Sequence, residues 1–139
     1  MAKQTGTRTE RRARTTRLPK SIEAAVRAAE DKKAADIVVL DLRKAAGFTD
    51  YFVICSGNNA RQIRAISDAI IESLEAQGSR PAHVEGYDRS EWVLDDYFDF
   101  VIHIFTPETR MFYGLERLWG NAEHVPVSHA RSADLPPSL

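Results

Sequence analysis

Apolar residues recur at helical spacing in two stretches of the chain. The first stretch predicts a helix over about 21–34, with Ser21 as its N-cap. The second predicts a longer helix over about 59–77, with Gly78 just after its end. The apolar positions are Ile22, Ala25, Val26 and Ala29 in the first helix, and Ile63, Ile66, Ile70 and Leu74 in the second. Each set lies on one side of its helix, so both helices are expected to pack against a core.

Short apolar runs predict five strands. The run at 51–55 is apolar at every position, which is typical of a strand covered on both faces. The other strands are predicted at 37–42, 82–85, 91–94 and 98–105. Asp95, Asp96 and Tyr97 lie between the last two runs and indicate a turn, where aspartate is common.

A third helix is predicted after the last strand, because Thr106 and Pro107 are typical of a helix start. Its apolar side consists of Met111, Leu115, Leu118 and Trp119. The order helix, strand, strand, helix, three strands, helix predicts a single α/β domain, in which a mixed sheet of about five strands packs with helices. We place this domain at 20–125, between a disordered basic tail at 1–19 and a frayed tail at 126–139.

Composition narrows the class of protein. The 139 residues include one cysteine, which excludes an internal disulfide framework and a cysteine-rich zinc site. The sequence contains no apolar run near the roughly 20 residues that a membrane helix needs. It also lacks an apolar leader at its start, so we expect a cytoplasmic protein with no membrane association.

Charge is distributed unevenly along the chain. Residues 1–20 carry seven cations and one anion, a net charge of +6, whereas residues 21–139 carry 12 cations and 19 anions, a net charge of −7. The acidic body argues against a general nucleic-acid binder. The basic tail is open to three interpretations, namely a solvated segment, an arm that contacts phosphates, or an organelle-targeting segment.

Residue patterns for catalysis or cofactor binding are weak, and we expect neither a metal nor a cofactor. Cys55 and His103 lie inside apolar strands, which indicates core or interface residues. Ser56 and Gly57 open a helix after a strand and resemble half of a nucleotidyltransferase site. Such an enzyme also needs paired carboxylates on a neighbouring strand, where this sequence offers only Glu85.

Aromatic residues are concentrated in the second half of the chain. Nine of the twelve lie between Tyr87 and Trp119. Trp92 and Tyr97 flank the predicted turn and have many charged neighbours in the sequence, as interface hot spots do. Half-buried core positions explain the same pattern, and the residues alone leave both interpretations open.

Several separated blocks closely resemble the ribosomal silencing factor (Iojap) family. They are 50–58, 61–62, 85–86, 92–97 and 111–119. They follow one another in the family's order and cover about 20–125, so the resemblance is specific. Asn59 replaces the family's usual small hydroxyl residue, and Phe98 replaces a common glycine.

The resemblance implies a fold related to nucleotidyltransferases but without their catalytic acids, and a protein that is not an enzyme. It implies binding to the large ribosomal subunit through large-subunit ribosomal protein fourteen, which blocks joining of the small subunit and lowers translation when nutrients are scarce. A role in large-subunit assembly and a homodimer are also implied. The partner-binding residues are expected to be Trp92, Leu94, Asp96, Tyr97, Met111 and Phe112.

Three functions therefore follow as expectations. The first is a ribosome-binding repressor that acts by steric occlusion. The second is an active nucleotidyltransferase or nucleotide-binding enzyme, which a strand with paired carboxylates would support. The third is an assembly factor for the large subunit, which would use the same contact as the repressor. The basic tail adds a weak contact with ribosomal RNA to these expectations.

Overall fold

The computed structural model of the protein describes residues 18–127, so the predictions for most of the two tails lie outside the described residues. The described residues form one α/β domain. Its helices are α1 (Lys20–Asp31), α2 (Ala60–Glu75), α3 (Pro107–Tyr113) and α4 (Leu115–Leu118). Its strands are β1 (Ala35–Asp41), β2 (Tyr51–Ser56), β3 (His83–Glu85), β4 (Trp92–Asp96), β5 (Phe100–Phe105) and β6 (Glu123–Val125).

The strands form one mixed sheet in the order β3-β4-β5-β2-β1-β6. Strands β2 and β5 pair in parallel at the centre, with Ile54 opposite His103, and every other pair is antiparallel. The predicted mixed α/β sheet is confirmed. The sixth strand, β6, was not predicted because its three residues include the polar Glu123 and His124 and show no apolar run.

One face of the sheet, the helix face, is covered by α1 and α2. Its strand residues include Val53, Cys55, Val93, Ile102 and Ile104. The apolar sides predicted for the two helices are confirmed, since all eight positions are buried. Leu18 is also buried in this core, although the sequence prediction placed it in the tail. The ordered domain therefore begins no later than Leu18.

Helix ends agree only partly with the sequence prediction. The α1 helix starts at Lys20 after Pro19, so Ser21 lies inside the helix and is not its cap. At α2, the side chain of Asn59 accepts a hydrogen bond from the backbone N–H of Gln62. At α3, the side chain of Thr106 does the same for Thr109. These two caps position the start of each helix next to the end of a strand.

The opposite face, the aromatic face, carries a smaller core. Its strand residues include Phe52, Ile54, Trp92, His103 and Phe105. It is covered by the connection between β1 and β2 and by the segment from Leu115 to Ala122. The predicted third helix is wrong in one respect, because Gly114 has φ of 57° and divides it into α3 and α4. Met111 and Leu118, both on its predicted apolar side, are therefore 76% and 70% exposed.

The turn between β4 and β5 lies later than predicted. Asp95 and Asp96 belong to β4, and the turn is formed by Tyr97, Phe98 and Asp99. The alternation that starts at Trp92 continues through Asp96, which places Asp95 on the helix face. The frequency of aspartate in turns was therefore a misleading signal, since Asp95 is fully buried.

Candidate partner-binding surface

Aromatic rings form a continuous strip across the aromatic face. The aromatic strip consists of Phe48, Phe52, Trp92, His103, Phe105, Phe112, Tyr113 and Trp119. Tyr113 lies 4.7 Å from Trp92 between ring centroids, and His103 lies 4.4 Å from Phe52. Such separations are typical of favourable ring contacts. The strip joins the α3 end of the domain to the connection between β1 and β2.

Trp92 lies near the middle of the strip and is half-buried. Its indole Nε1 donates a hydrogen bond of 3.0 Å to Nδ1 of His103. Burial lowers the pKa of His103 to about 3, so the imidazole is neutral and Nδ1 remains an acceptor at ordinary pH. Because the indole N–H is used internally, Trp92 offers a partner mainly apolar ring surface.

Exposed apolar residues continue the surface onto α3 and α4. Phe112 is 78% exposed, Tyr113 is 52% exposed, and Met111 and Leu118 are also largely exposed. The break at Gly114 causes this arrangement, since it turns Leu115 towards the sheet while Leu118 faces solvent. Large exposed side chains of this kind mark interaction sites when they are contiguous with a half-buried apolar surface.

Three of the predicted partner-binding residues lie in one row on β4. Trp92, Leu94 and Asp96 share the aromatic face because strand side chains alternate, and all three are half-buried. Asp96 accepts a hydrogen bond of 2.8 Å from the backbone N–H of Phe98. The neighbouring strand places Glu85 opposite Leu94 and His83 opposite Asp96, which gives the row a charged margin.

Tyr97 does not belong to this surface. It is 7% exposed, lies in the core of the helix face, and stacks on Phe100 with 4.8 Å between ring centroids. Burial raises the pKa of its hydroxyl, which has no hydrogen-bond partner among residues 18–127. The structure therefore places three of the six predicted residues in the β4 row and two on α3, which contacts Trp92 through Tyr113, whereas Tyr97 lies on the other side of the sheet.

The segment that resembles half of a nucleotidyltransferase site has a packing explanation. A Cβ at Gly57 would lie 2.8 Å from Cγ1 of Ile63, so glycine permits the close approach of α2 to the end of β2. The hydroxyl of Ser56 accepts a hydrogen bond of 2.8 Å from Nη1 of Arg110. The two residues thus serve contacts within the domain.

Cys55 and Asp95 are two further titratable groups, and both are buried. Burial raises the pKa of the Cys55 thiol to about 12, and the side chain is fully buried, as expected of a core cysteine. Asp95 receives a hydrogen bond from the hydroxyl of Ser67, and burial raises its pKa to about 7.

Within residues 18–127, no three acidic, histidine or cysteine side chains converge as a metal site would require. No helix in the same part of the chain combines the length and apolar character needed to cross a membrane.

Sequence reasoning missed part of the surface. Phe48 was not a candidate because it lies in a connection without periodicity, yet it is 62% exposed and contacts Trp119. Tyr113 and Leu118 were noted only as aromatic or apolar positions. The concentration of aromatic residues after Tyr87 was the usable signal, but it did not show which rings meet.

Comparisons with known proteins point to one family. The family described as "Ribosomal silencing factor during starvation" matches residues 15–137. "Ribosomal silencing factor RsfS" from Bacillus subtilis is 40% identical over 101 residues, which cover 73% of this chain and 86% of that protein. "Mitochondrial assembly of ribosomal large subunit protein 1" from Mus musculus is 34% identical over 101 residues, covering 70% of this chain and 44% of that protein.

A solved structure agrees with the sequence comparisons. The crystal structure of a Chromobacterium violaceum protein superimposes with a TM-score of 0.71 at 32% identity, and the match covers 74% of this chain and 86% of that one. The family match spans all of the described residues, and the fold is the same. The resemblance found in the sequence is thus confirmed, and the chain belongs to the ribosomal silencing factor family.

Proposed function

We propose that this protein binds the large ribosomal subunit through large-subunit ribosomal protein fourteen and sterically blocks joining of the small subunit, so that translation falls when nutrients are scarce. A ribosome-associated role in silencing or in large-subunit assembly is common to the names of its relatives.

One observation carries the proposal, namely the β4 row beside the exposed residues of α3. Trp92 and Leu94 are half-buried, Tyr113 of α3 contacts Trp92, and Met111 and Phe112 on the same helix are largely exposed. This arrangement has an apolar centre and a charged margin, which is the composition of an interface hot spot. The acidic body of the chain suits a basic ribosomal protein, because opposite charges favour encounter and orientation.

The proposed mechanism needs no catalysis. A bound protein prevents joining of the small subunit simply by occupying space at the intersubunit face. The contacts of Gly57 with α2 and of Ser56 with Arg110 support a structural role for the segment that resembles an enzyme site. We therefore propose that the protein is not an enzyme, and that it acts in the cytoplasm without a cofactor.

Cosedimentation with purified ribosomal subunits tests the proposal. The protein is expected to migrate with large subunits in a sucrose gradient and to reduce the yield of whole ribosomes after small subunits are added. Phe112→Ser should reduce both effects, because Phe112 is exposed and contributes little to the core. Arg27→Ala, an exposed change on α1, is the control and should have no effect.

Two results would contradict the proposal. The first is wild-type protein that stays at the top of the gradient at micromolar concentration and moderate salt. The second is equal loss of binding in the Phe112 and Arg27 variants. Incorporation of a labelled nucleotide into an acceptor, lost in a Glu85→Gln variant, would instead support the nucleotidyltransferase alternative.

A role in large-subunit assembly is the second candidate, and the name of the mouse relative favours it. It would use the same surface at an earlier stage. Cells that lack the protein would then accumulate precursors of the large subunit during growth, whereas a pure repressor would change whole-ribosome content only under starvation. A homodimer and a contact between the basic tail and ribosomal RNA complete the proposal, and sedimentation of the free protein tests the former.

A further inference from the structure

The segment that carries the exposed residues has little apolar anchorage of its own. Within the part of the chain that the structure describes, none of the residues of α3 or α4 is buried. Tyr113 contacts Trp92, and Leu115 is only half-buried against the aromatic face. A short helix without a buried side needs another contact to fix its orientation.

Arg110 supplies that contact. Its Nη1 donates to the hydroxyl of Ser56 at 2.8 Å, and its Nη2 donates to the backbone carbonyl of Asp36 at 2.8 Å. Its Nε and Nη2 each donate to the carboxylate of Glu116 at 3.0 Å. One guanidinium thus ties α3 to the end of β2, to the start of β1 and to α4. The paired geometry with a carboxylate is the strongest that arginine forms.

The direction of Arg110 determines the direction of its neighbours. Successive residues of an α-helix are rotated by about 100°, so Phe112 lies about 200° around α3 from Arg110. With Arg110 held inward, Phe112 must point outward, as its exposure shows. The bond to Glu116 extends the same constraint across the break at Gly114, and it lowers the pKa of Glu116.

We propose that Arg110 is a positioning residue for partner binding: by bridging Ser56, Asp36 and Glu116 it holds α3 and α4 in the orientation that presents Met111, Phe112 and Leu118. This inference rests on the proposed function. Arg110 itself has a side chain only 12% exposed, so it offers a partner almost no surface. Its contribution to affinity comes from the fraction of molecules whose surface is correctly arranged.

Two measurements on Arg110→Met test this inference. The variant keeps most of the side-chain volume but removes every hydrogen bond of the guanidinium. If it leaves about one molecule in ten correctly arranged, affinity for isolated large-subunit ribosomal protein fourteen falls about tenfold. Hydrogen exchange at 107–118 should become faster, whereas exchange in α1, α2 and β2 should remain as in the wild type.

Matched variants separate positioning from general destabilisation. Ile70→Val removes a methylene group from the core of the helix face and so lowers the free energy of unfolding. It should leave the affinity of the folded protein unchanged. Arg27→Met, the same change at an exposed arginine, should alter neither affinity nor hydrogen exchange at 107–118. Should Arg110→Met not fold, Glu116→Gln, which retains the guanidinium, is expected to show the same local pattern at smaller amplitude.

Wild-type affinity in Arg110→Met, or faster exchange throughout the sheet, would overturn the inference. Failure of the wild-type protein to bind ribosomal protein fourteen would overturn the proposed function instead. The exchange rates need no partner, so they would still decide whether Arg110 holds α3 and α4 in place.

Discussion

Asp95 is a fully buried carboxyl group that accepts a hydrogen bond from the hydroxyl of Ser67. Loss of solvation raises its pKa from 3.8 to about 7, and the hydrogen bond from Ser67 opposes this only in part. The folded protein therefore holds the proton more tightly than the unfolded chain does. The free energy of unfolding that this group contributes is largest below about pH 4 and falls as the pH rises towards 7.

We predict that Asp95→Asn removes this pH dependence. Wild-type protein should lose stability between about pH 4 and pH 7, because over that range the unfolded chain releases a proton that the folded protein retains. The neutral amide of the variant should give a nearly constant urea midpoint over the same range. Asp99→Asn, at an exposed position in the adjacent turn, is the control and should keep the wild-type slope. Parallel slopes in wild type and Asp95→Asn would contradict the explanation.

For single residues, the sequence showed which charged residues are nearby along the chain, but it did not show on which face of the sheet a side chain lies. Trp92 and Tyr97 have the same charged neighbours in the sequence, but Trp92 lies on the aromatic face and Tyr97 is buried in the core of the helix face. The difference depends on where β4 ends. Alternation was traced to Leu94 in the sequence, and the strand continues to Asp96 because Asp95 finds a partner in Ser67. This contact joins β4 to α2, which are distant in the sequence, so the local residue pattern does not show where β4 ends.

Gly114 shapes the α3–α4 element by adopting φ of 57°. A straight helix would have continued the apolar side predicted from Met111 to Trp119, and nothing in the spacing of those residues reveals the break. Glycine in this left-handed region commonly ends a helix. The exposed positions of α3 and α4 therefore follow from one backbone conformation.

We predict that Gly114→Ala weakens partner binding more than its cost in stability explains. A non-glycine residue in the left-handed region costs about 1 kcal/mol. The added Cβ would also lie 2.6 Å from Nη2 of Arg117, so that side chain must move, and the left-handed conformation at the α3–α4 junction becomes less favourable. Urea denaturation and affinity for ribosomal protein fourteen measure the two effects.

Gly78→Ala is the matched control for that prediction. Gly78 also follows a helix and has φ of 85°, but a Cβ there would meet no atom of residues 18–127 within 4 Å. The control should lose similar stability and keep full affinity. If both glycine variants bind equally well, the break at Gly114 does not matter for the surface.

For the whole molecule, the uneven charge of the chain predicts how binding responds to salt. Residues 1–17 lie outside the described part of the structure, and they carry most of the basic charge of the tail. Contacts between cations and phosphates release counterions, so their contribution falls steeply as salt rises. Deleting 1–17 should reduce the salt dependence of binding to whole large subunits and leave binding to isolated ribosomal protein fourteen unchanged. Equal salt slopes in the two proteins would exclude a phosphate contact by the tail.

The two faces of the sheet have different roles, namely stability and the presentation of exposed aromatic rings. The helix face contains most of the buried apolar residues and carries stability, whereas the aromatic face keeps large rings accessible. The sequence predicted the helix face well because amphipathic helices have a strong periodic signal. It predicted the aromatic face poorly, since that surface is assembled from a connection, three strands and a broken helix that are distant in the sequence.

Because Trp92 and Tyr97 lie on opposite faces of the sheet, we predict that truncating each has a different effect on stability and on partner binding. Tyr97→Ala should lower the free energy of unfolding by about 3–5 kcal/mol, because it leaves a cavity beside Phe100. Molecules of that variant that remain folded should bind ribosomal protein fourteen normally. Trp92→Ala should lose about 30-fold or more in affinity, as expected when a central interface aromatic is truncated. Its free energy of unfolding should fall by less than that of Tyr97→Ala.

Trp92→Phe is the discriminating variant. It keeps an apolar ring against Phe105 and Tyr113 but cannot donate to His103. If Trp92 acts through its apolar surface, Trp92→Phe should retain most of the affinity that Trp92→Ala loses. Calorimetric affinity and urea denaturation on the same preparations measure both quantities. Loss of binding in Tyr97→Ala at full foldedness, with normal binding in Trp92→Ala, would place the partner on the helix face and refute the assignment of the surface.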